Sequence, residues 1–175
     1  MNLIHSLKIG LGIFIILISA QLTIDVGDIP ITGQTLSILV LAFLYKPRDM
    51  FLVSFIYVLL GVLGLPIFAN GEFGLEKLTG GSGGFLIGFI ISSTIISYIY
   101  ESTKSKGILI ILSLTSLGTI IILLFGVGRL VTIYGLEKGI EYGFSPFWLG
   151  ALVKILIGTI ITYYITVYVN QLSRK

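Results

Sequence analysis

The chain has 175 residues, 55% of them hydrophobic and only 11% charged, a balance that no water-soluble domain of this size can carry on its surface. It has no cysteine and a single histidine, His5, which excludes disulfides and thiol chemistry and leaves no basis for a Cys- or His-ligated metal centre. The net charge of +3 belongs to the loops of a membrane protein held toward anionic lipid, not to a nucleic-acid-binding surface.

A membrane span needs about 20 mostly apolar residues, with about 17 as the lower limit. The apolar runs predict six such helices, at about 6–24, 33–45, 50–68, 83–100, 107–130 and 146–170, in a single transmembrane domain covering 1–175. The second run is short for a span. The first follows Lys8, but Ile18-Ser-Ala-Gln-Leu is a poor cleavage site, so this run reads as a retained helix and not a signal peptide. Six helices put both termini on one side. That side carries Lys8, Lys46, Arg48, Lys104, Lys106, Arg174 and Lys175, whereas the other carries Lys77 and Lys138 outside the helices. The positive-inside rule therefore predicts a multi-pass plasma-membrane protein with both termini cytoplasmic. The acids Asp25, Asp28, Glu72, Glu76, Glu137 and Glu141 then lie outside, with the long loops.

The first outer loop reads Asp28-Ile-Pro-Ile-Thr-Gly-Gln-Thr. Thr32 and Thr35 can cap the second helix or offer hydrogen bonds at its mouth. Gln34 fits capping less well, and its amide can present both an acceptor and a donor to a ligand. The stretch Gly64–Phe89 is glycine punctuation between two apolar runs and predicts a structured outer loop between helices three and four. Pro66 ends or kinks the third helix, and Ala69-Asn70-Gly71 can turn sharply. Gly80, Gly81, Gly83 and Gly84 allow non-helical backbone at the membrane boundary, tolerated only where protein or a polar cavity satisfies it. Gly84 and Gly88 also form a G-x-x-x-G pair suited to close helix packing, and the two readings are compatible. Farther on, Arg129 stands at the outer end of the fifth helix and Lys154 some eight residues into the sixth, where a cation costs about 2.5–3.5 kcal/mol at mid-bilayer. Each either snorkels to the outer headgroups or turns inward, and an inward Lys154 awaits a carboxylate. Nothing builds an enzyme: there is no intramembrane acid pair, no Ser/His/Asp set around His5, and no Gly-Lys-Ser/Thr ending to Gly-Gly-Ser-Gly-Gly.

Four segments in register resemble the BioY family, the biotin-specific S components of energy-coupling factor (ECF) vitamin transporters. They are Ile29-Pro-Ile-Thr-Gly-Gln-Thr-Leu, Gly64-Leu-Pro-Ile-Phe-Ala-Asn-Gly, Leu78-Thr-Gly-Gly-Ser-Gly-Gly-Phe-Leu-Ile-Gly-Phe, and Pro146-Phe followed eight residues later by Lys154. The resemblance implies an all-α, six-helix S component without cofactor or metal. Such a subunit captures vitamin outside and associates with a transmembrane scaffold and two ATPase subunits, which hydrolyse the ATP. It further implies a vitamin carboxylate on Lys154, helped by Arg129, with the ring system beside Gln34, Asn70 and the Gly83-Gly84-Phe85 backbone. A small-residue face on the first helix, Gly12, Ile16 and Ala20, is the scaffold-docking face that the resemblance implies, with Ile16 interrupting it.

The chain departs from the family pattern at three points. Gly80-Gly-Ser-Gly-Gly-Phe85 replaces a Gly-Pro-Thr-Gly-Gly-Tyr, Ala151 stands where the family carries an aspartate toward the ureido end of biotin, and Arg129 replaces a tryptophan. These changes keep the carboxylate partner and remove a partner of the polar ring. The readings that stand are therefore capture of biotin, capture of lipoate or another carboxylated vitamin, and, in a different class, a membrane structural or assembly protein whose glycines serve packing alone.

Overall fold

The structure, a computed structural model, describes residues 3–24, 29–104 and 106–172, with side chains in the last helix to position 169. Asp25, Asp28, Arg174 and Lys175 lie outside the described residues. The chain forms α1 (Leu3–Ala20), a two-residue antiparallel pairing of β1 (Thr23–Ile24) with β2 (Ile31–Thr32), α2 (Gln34–Ala42), α3 (Pro47–Val62) and a 3₁₀ turn (Ala69–Gly71). It continues through α4 (Leu75–Thr79), α5 (Gly83–Ser102), α6 (Ile108–Tyr134), α7 (Leu136–Gly143) and α8 (Trp148–Leu172).

Among the described residues four helices, α1, α5, α6 and α8, are long and apolar enough to cross a membrane. The other two predicted spans are shorter than the hydropathy implied. At 1.5 Å per residue α2, with 9 residues, is about 13 Å long and α3, with 16, about 24 Å, against a hydrocarbon core of about 30 Å. Their ends have local causes. Before α2, the Gly33 amide is drawn to the Leu22 carbonyl at 2.9 Å, in line with the β1–β2 pairing, so helix begins only at Gln34. After α2, Pro47 enforces an extended Lys46 (φ −67°, ψ 154°) and itself opens α3. At the far end of α3, Gly64 takes φ +109°, its amide bonds the Gly61 carbonyl at 3.2 Å and the Leu65 amide bonds the Leu60 carbonyl at 3.1 Å. That Schellman arrangement stops the helix at Val62, four residues before Pro66, the residue from which the sequence predicts the stop.

Of the four long helices α5 is the most buried, packed against α3, α6 and α2. Its buried side repeats at helical spacing through Gly84, Phe85, Gly88, Phe89, Ser92, Ser93, Ile96, Ser97 and Tyr100. Gly84 and Gly88 face α6, where a Cβ on Gly84 would lie 2.2 Å from the Phe125 carbonyl oxygen and one on Gly88 3.0 Å from the Ile122 Cα. This corrects the expectation of non-helical backbone at Gly83 and Gly84. They are the first two residues of α5, and the irregular segment is confined to Gly80–Ser82.

A second correction concerns α1. Gly12, Ile16 and Ala20 are its buried side, with Ile16 and Ala20 at 0% exposure and Gly12 fitted against Val53 of α3 and the Tyr45 hydroxyl. A face that packs the protein's own bundle is not free to receive a scaffold. What α1 turns outward is the apolar stripe Leu7, Leu11, Phe14 and Ile18.

Candidate functional site

The short α2 shapes the site. Because it begins only at Gln34, the chain from Ile29 to Gly33 is irregular backbone around the Ile31–Thr32 strand, and non-helical backbone at membrane depth has to line a cavity or be covered by protein. It does line one. A cleft lies between this segment, the 68–72 turn, the first halves of α5 and α8 and the middle of α6. Its walls are apolar over most of their extent, with Ile29, Pro30, Phe68, Phe85, Leu86, Phe89, Ile122, Leu123 and Phe147. A few polar groups converge on it: Thr32, Gln34, Thr35, Ser82, Thr119 and Lys154, with Glu72 and Lys77 also in the wall. That is the composition of a small-molecule site, in which apolar walls give affinity and sparse polar groups fix orientation.

Lys154 lies six residues below the start of α8, about 9 Å along it. It lines the cleft one turn below Ala151, and among the described residues it has neither hydrogen-bond nor ion-pair partner. Lys77, the other cation of the wall, is already neutralised by Glu72 at 2.5 Å. Among the described residues the cleft therefore holds one ammonium with no countercharge, in mostly apolar walls that exclude much of the water that would otherwise solvate it. An anion that reaches Lys154 replaces that missing solvation.

Gln34 is 5% exposed and is largely spoken for within the protein. Its Oε1 accepts from Thr32 Oγ1 at 2.9 Å, and its Nε2 donates to the Tyr57 hydroxyl at 2.5 Å, which in turn donates to the Ile67 carbonyl at 2.9 Å. The side chain keeps one N–H and one lone pair for a ligand, fewer than its type alone allows. Gly33 is the N-cap residue, but the Thr32 hydroxyl accepts from the Gln34 main-chain N–H, the first of α2, at 3.2 Å while it donates to the Gln34 side chain and fixes it. Phe85 reaches the cleft by lying over Gly126, a notch with no Cβ, and its ring meets Phe147 at 5.4 Å.

Of the predicted site residues, the fold gathers Gln34, Phe85, Ala151 and Lys154 around one cleft and leaves the others outside its wall. Gly83 and Gly84 pack against the Leu78 and Phe125 carbonyls. Asn70, in the left-handed region at φ 56°, accepts from Thr23 Oγ1 at 2.7 Å on the far side of its turn. Arg129 donates from its guanidinium to the Thr79 carbonyl and, through Nε at 3.3 Å, to the Gly80 carbonyl. It closes the C-terminal end of α4, where carbonyls lack helical partners and a cation is favoured, and so serves the loop and not the cleft. Phe68, Thr119 and Phe147 were not anticipated. Thr119 had a signal, a hydroxyl one helical turn from Thr115 within an apolar run; Phe68 and Phe147 lie inside two of the segments that resemble the family, though residue type alone does not single them out.

A profile of the BioY family matches residues 1–171. The chain is 32% identical over 168 residues to the probable biotin transporter BioY of Rickettsia prowazekii (strain Madrid E), covering 96% of this chain and 84% of that one. It is also 32% identical over 158 residues to the biotin transporter BioY of Thermotoga maritima, with 89% and 91% covered. Biotin transporter BioY2 of Lactococcus lactis subsp. cremoris is 32% identical over 154 residues, with 87% and 84% covered. Among solved structures, the fold matches the crystal structure at 2.1 Å of the S-component for biotin from an ECF-type ABC transporter, with a TM-score of 0.81 at 21% identity over 95% of this chain and 94% of that one.

Proposed function

The chain belongs to the BioY family, and from that premise we propose that it is the substrate-binding subunit of an ECF-type vitamin transporter, capturing biotin in the cleft at its outer face. The observation that carries the reading to particular atoms is the solitary Lys154 ammonium in a mostly apolar cleft. Biotin has one carboxylate on an apolar tail, so its acid pairs with Lys154 while its ring system lies toward Gln34 and the aromatic walls. The chain performs no chemistry. A transmembrane scaffold and two ATPase subunits supply the energy for delivery inward.

Titration calorimetry on detergent-purified protein tests this with biotin, lipoate and biotinamide. Biotin is expected to bind, and biotinamide, without a carboxylate, to bind about a hundredfold or more weakly. Tight lipoate binding with no biotin binding would overturn the choice of vitamin. Equal affinity for biotin and its amide would overturn the role of Lys154.

Ala151 offers a finer probe, since it lines the cleft beside Lys154. Ala151→Asp adds an acceptor for a ureido N–H and is expected to raise the preference for biotin over lipoate about tenfold. An unchanged ratio in competition binding would place the ring elsewhere.

Orientation in the membrane follows from the basic residues of the α2–α3 and α5–α6 connections, Lys46, Arg48, Lys104 and Lys106, and from Lys8, which sits 3.6 Å from Asp49 at the same end. Because the chain has no cysteine, one introduced cysteine reports its side without background. In intact cells a membrane-impermeant maleimide is expected to label Lys138→Cys and to spare Lys104→Cys; the reverse pattern would invert the topology.

A further inference from the structure

The turn that contributes Phe68, Ala69 and Glu72 to the cleft does little to hold itself in place. Its internal bonds are three, Phe68 amide to Glu72 carbonyl at 3.0 Å, Gly71 amide to Phe68 carbonyl at 3.1 Å and Glu72 amide to Ala69 carbonyl at 3.0 Å. It also contains two consecutive residues at positive φ, Asn70 and Gly71. A segment of this kind opens at low cost unless other elements grip it.

Two elements do. From α3, the Tyr57 hydroxyl holds the Ile67 carbonyl, and Phe68 seats its ring over Gly61 and edge-on to Tyr57 at 5.8 Å. From the outer end of α1, Gln21 commits both ends of its amide to the turn: Nε2 donates to the Phe68 carbonyl at 3.0 Å, and Oε1 accepts from the Gly71 amide at 3.1 Å. Thr23 adds its bond to Asn70 from the next strand. Gln21 does not line the cleft, and its side chain is exposed. Its polar groups have water available on the outside, and Nε2 also reaches the Leu17 carbonyl at 3.4 Å, yet the shorter bonds of both ends go to one backbone turn.

We propose that Gln21 is a positioning residue for ligand retention: its two-point grip on Phe68 and Gly71 holds the 68–72 wall against the cleft, so that losing it opens the ligand's exit without removing a ligand contact. The inference rests on the reading of the cleft as the biotin site. It predicts an effect on dissociation far more than on association, because association needs the wall open while retention needs it closed.

The experiment uses the full chain with Gln21→Met, which keeps length and removes both bonds, and Gln21→Glu, which keeps the acceptor for Gly71 and loses the donor. In ligand-free protein, hydrogen exchange of the Phe68–Glu72 amides is expected to accelerate about tenfold or more in Gln21→Met and less in Gln21→Glu, with α5 and α6 unchanged. Labelled biotin is expected to leave Gln21→Met about tenfold faster, with its association rate within about twofold of the parent. Thr23→Val provides a second variant that weakens the same turn from the neighbouring strand, and is expected to shift both readouts in the same direction. Unchanged exchange at Gly71 would overturn the grip, and faster exchange with unchanged biotin dissociation would overturn its role in retention. If the parent protein binds no biotin, the reading of the cleft fails, and the exchange of the ligand-free chain still decides the grip.

Discussion

Replacing Lys154 with alanine is expected to weaken biotin binding about a hundred- to a thousandfold while leaving the fold intact. The estimate follows from the geometry. Lys154 has no countercharge among the described residues, and the mostly apolar walls around it make a carboxylate that reaches it both partner and solvent. Removing one member of a largely desolvated pair costs about 3–5 kcal/mol, because the remaining charge is left in surroundings that cannot solvate it, and each 1.4 kcal/mol is about tenfold in affinity. In the variant the stranded charge is the ligand's own. The fold survives because no described residue pairs with the ammonium, and because removing a cation from a membrane helix relieves an insertion cost. Biotinamide separates this from a packing effect: the parent and Lys154→Ala should bind it alike, so that the coupling between residue and carboxylate appears as a double-mutant cycle. Lys154→Arg is expected to recover only part of the affinity, since a planar guanidinium cannot occupy the position of a compact ammonium. Unchanged biotin affinity in Lys154→Ala would move the carboxylate away from α8.

Lys154, which lines the cleft, and Arg129, which does not, carry the same sequence signal, a cation at an apolar helix. Both were candidates for a ligand's acid, but Arg129 spends its donors on the Thr79 and Gly80 carbonyls. Main-chain acceptors have no sequence identity, so a cation that caps a loop helix and a cation that awaits a ligand look the same until the chain is folded. The same blindness explains α2 and α3. Hydropathy sees where apolar residues run, and α1, α5, α6 and α8 lie where those runs are longest. It does not see that Gly33 is held to Leu22 or that Gly64 stops α3 with a Schellman bond, and these shortened both elements. The shortening leaves room for the cleft, because a longer second helix would extend into the segment that lines it. Spacing alone also left open which side of α1 faces inward; Gly12 packs on Val53, and Ile16 and Ala20 are buried with it in the protein's own bundle.

The glycines of the opening of α5 supply the second large expected effect. Gly84→Ala should destabilise the protein by about 3 kcal/mol, at the upper end for an added methylene, whereas Gly128→Ala should leave stability unchanged or raise it by up to about 1 kcal/mol. Both are single methyl additions on helices that meet near the cleft. At Gly84 the methyl would stand 2.2 Å from the Phe125 carbonyl oxygen and 2.5 Å from the Arg129 Cβ, and a main-chain carbonyl cannot rotate aside, so α5 and α6 have to separate. At Gly128 nothing lies within 4 Å, and alanine is simply the better helix former. Separation at Gly84 also reaches the site. It draws Arg129 from the Thr79 and Gly80 carbonyls and lifts Phe85 from its notch over Gly126, so the variant should lose biotin affinity along with thermal stability. Thermal unfolding of the two variants in detergent, with and without biotin, makes the comparison. Equal losses at both positions would mean that α5 and α6 are not packed through Gly84, and would return that glycine to a role in the loop.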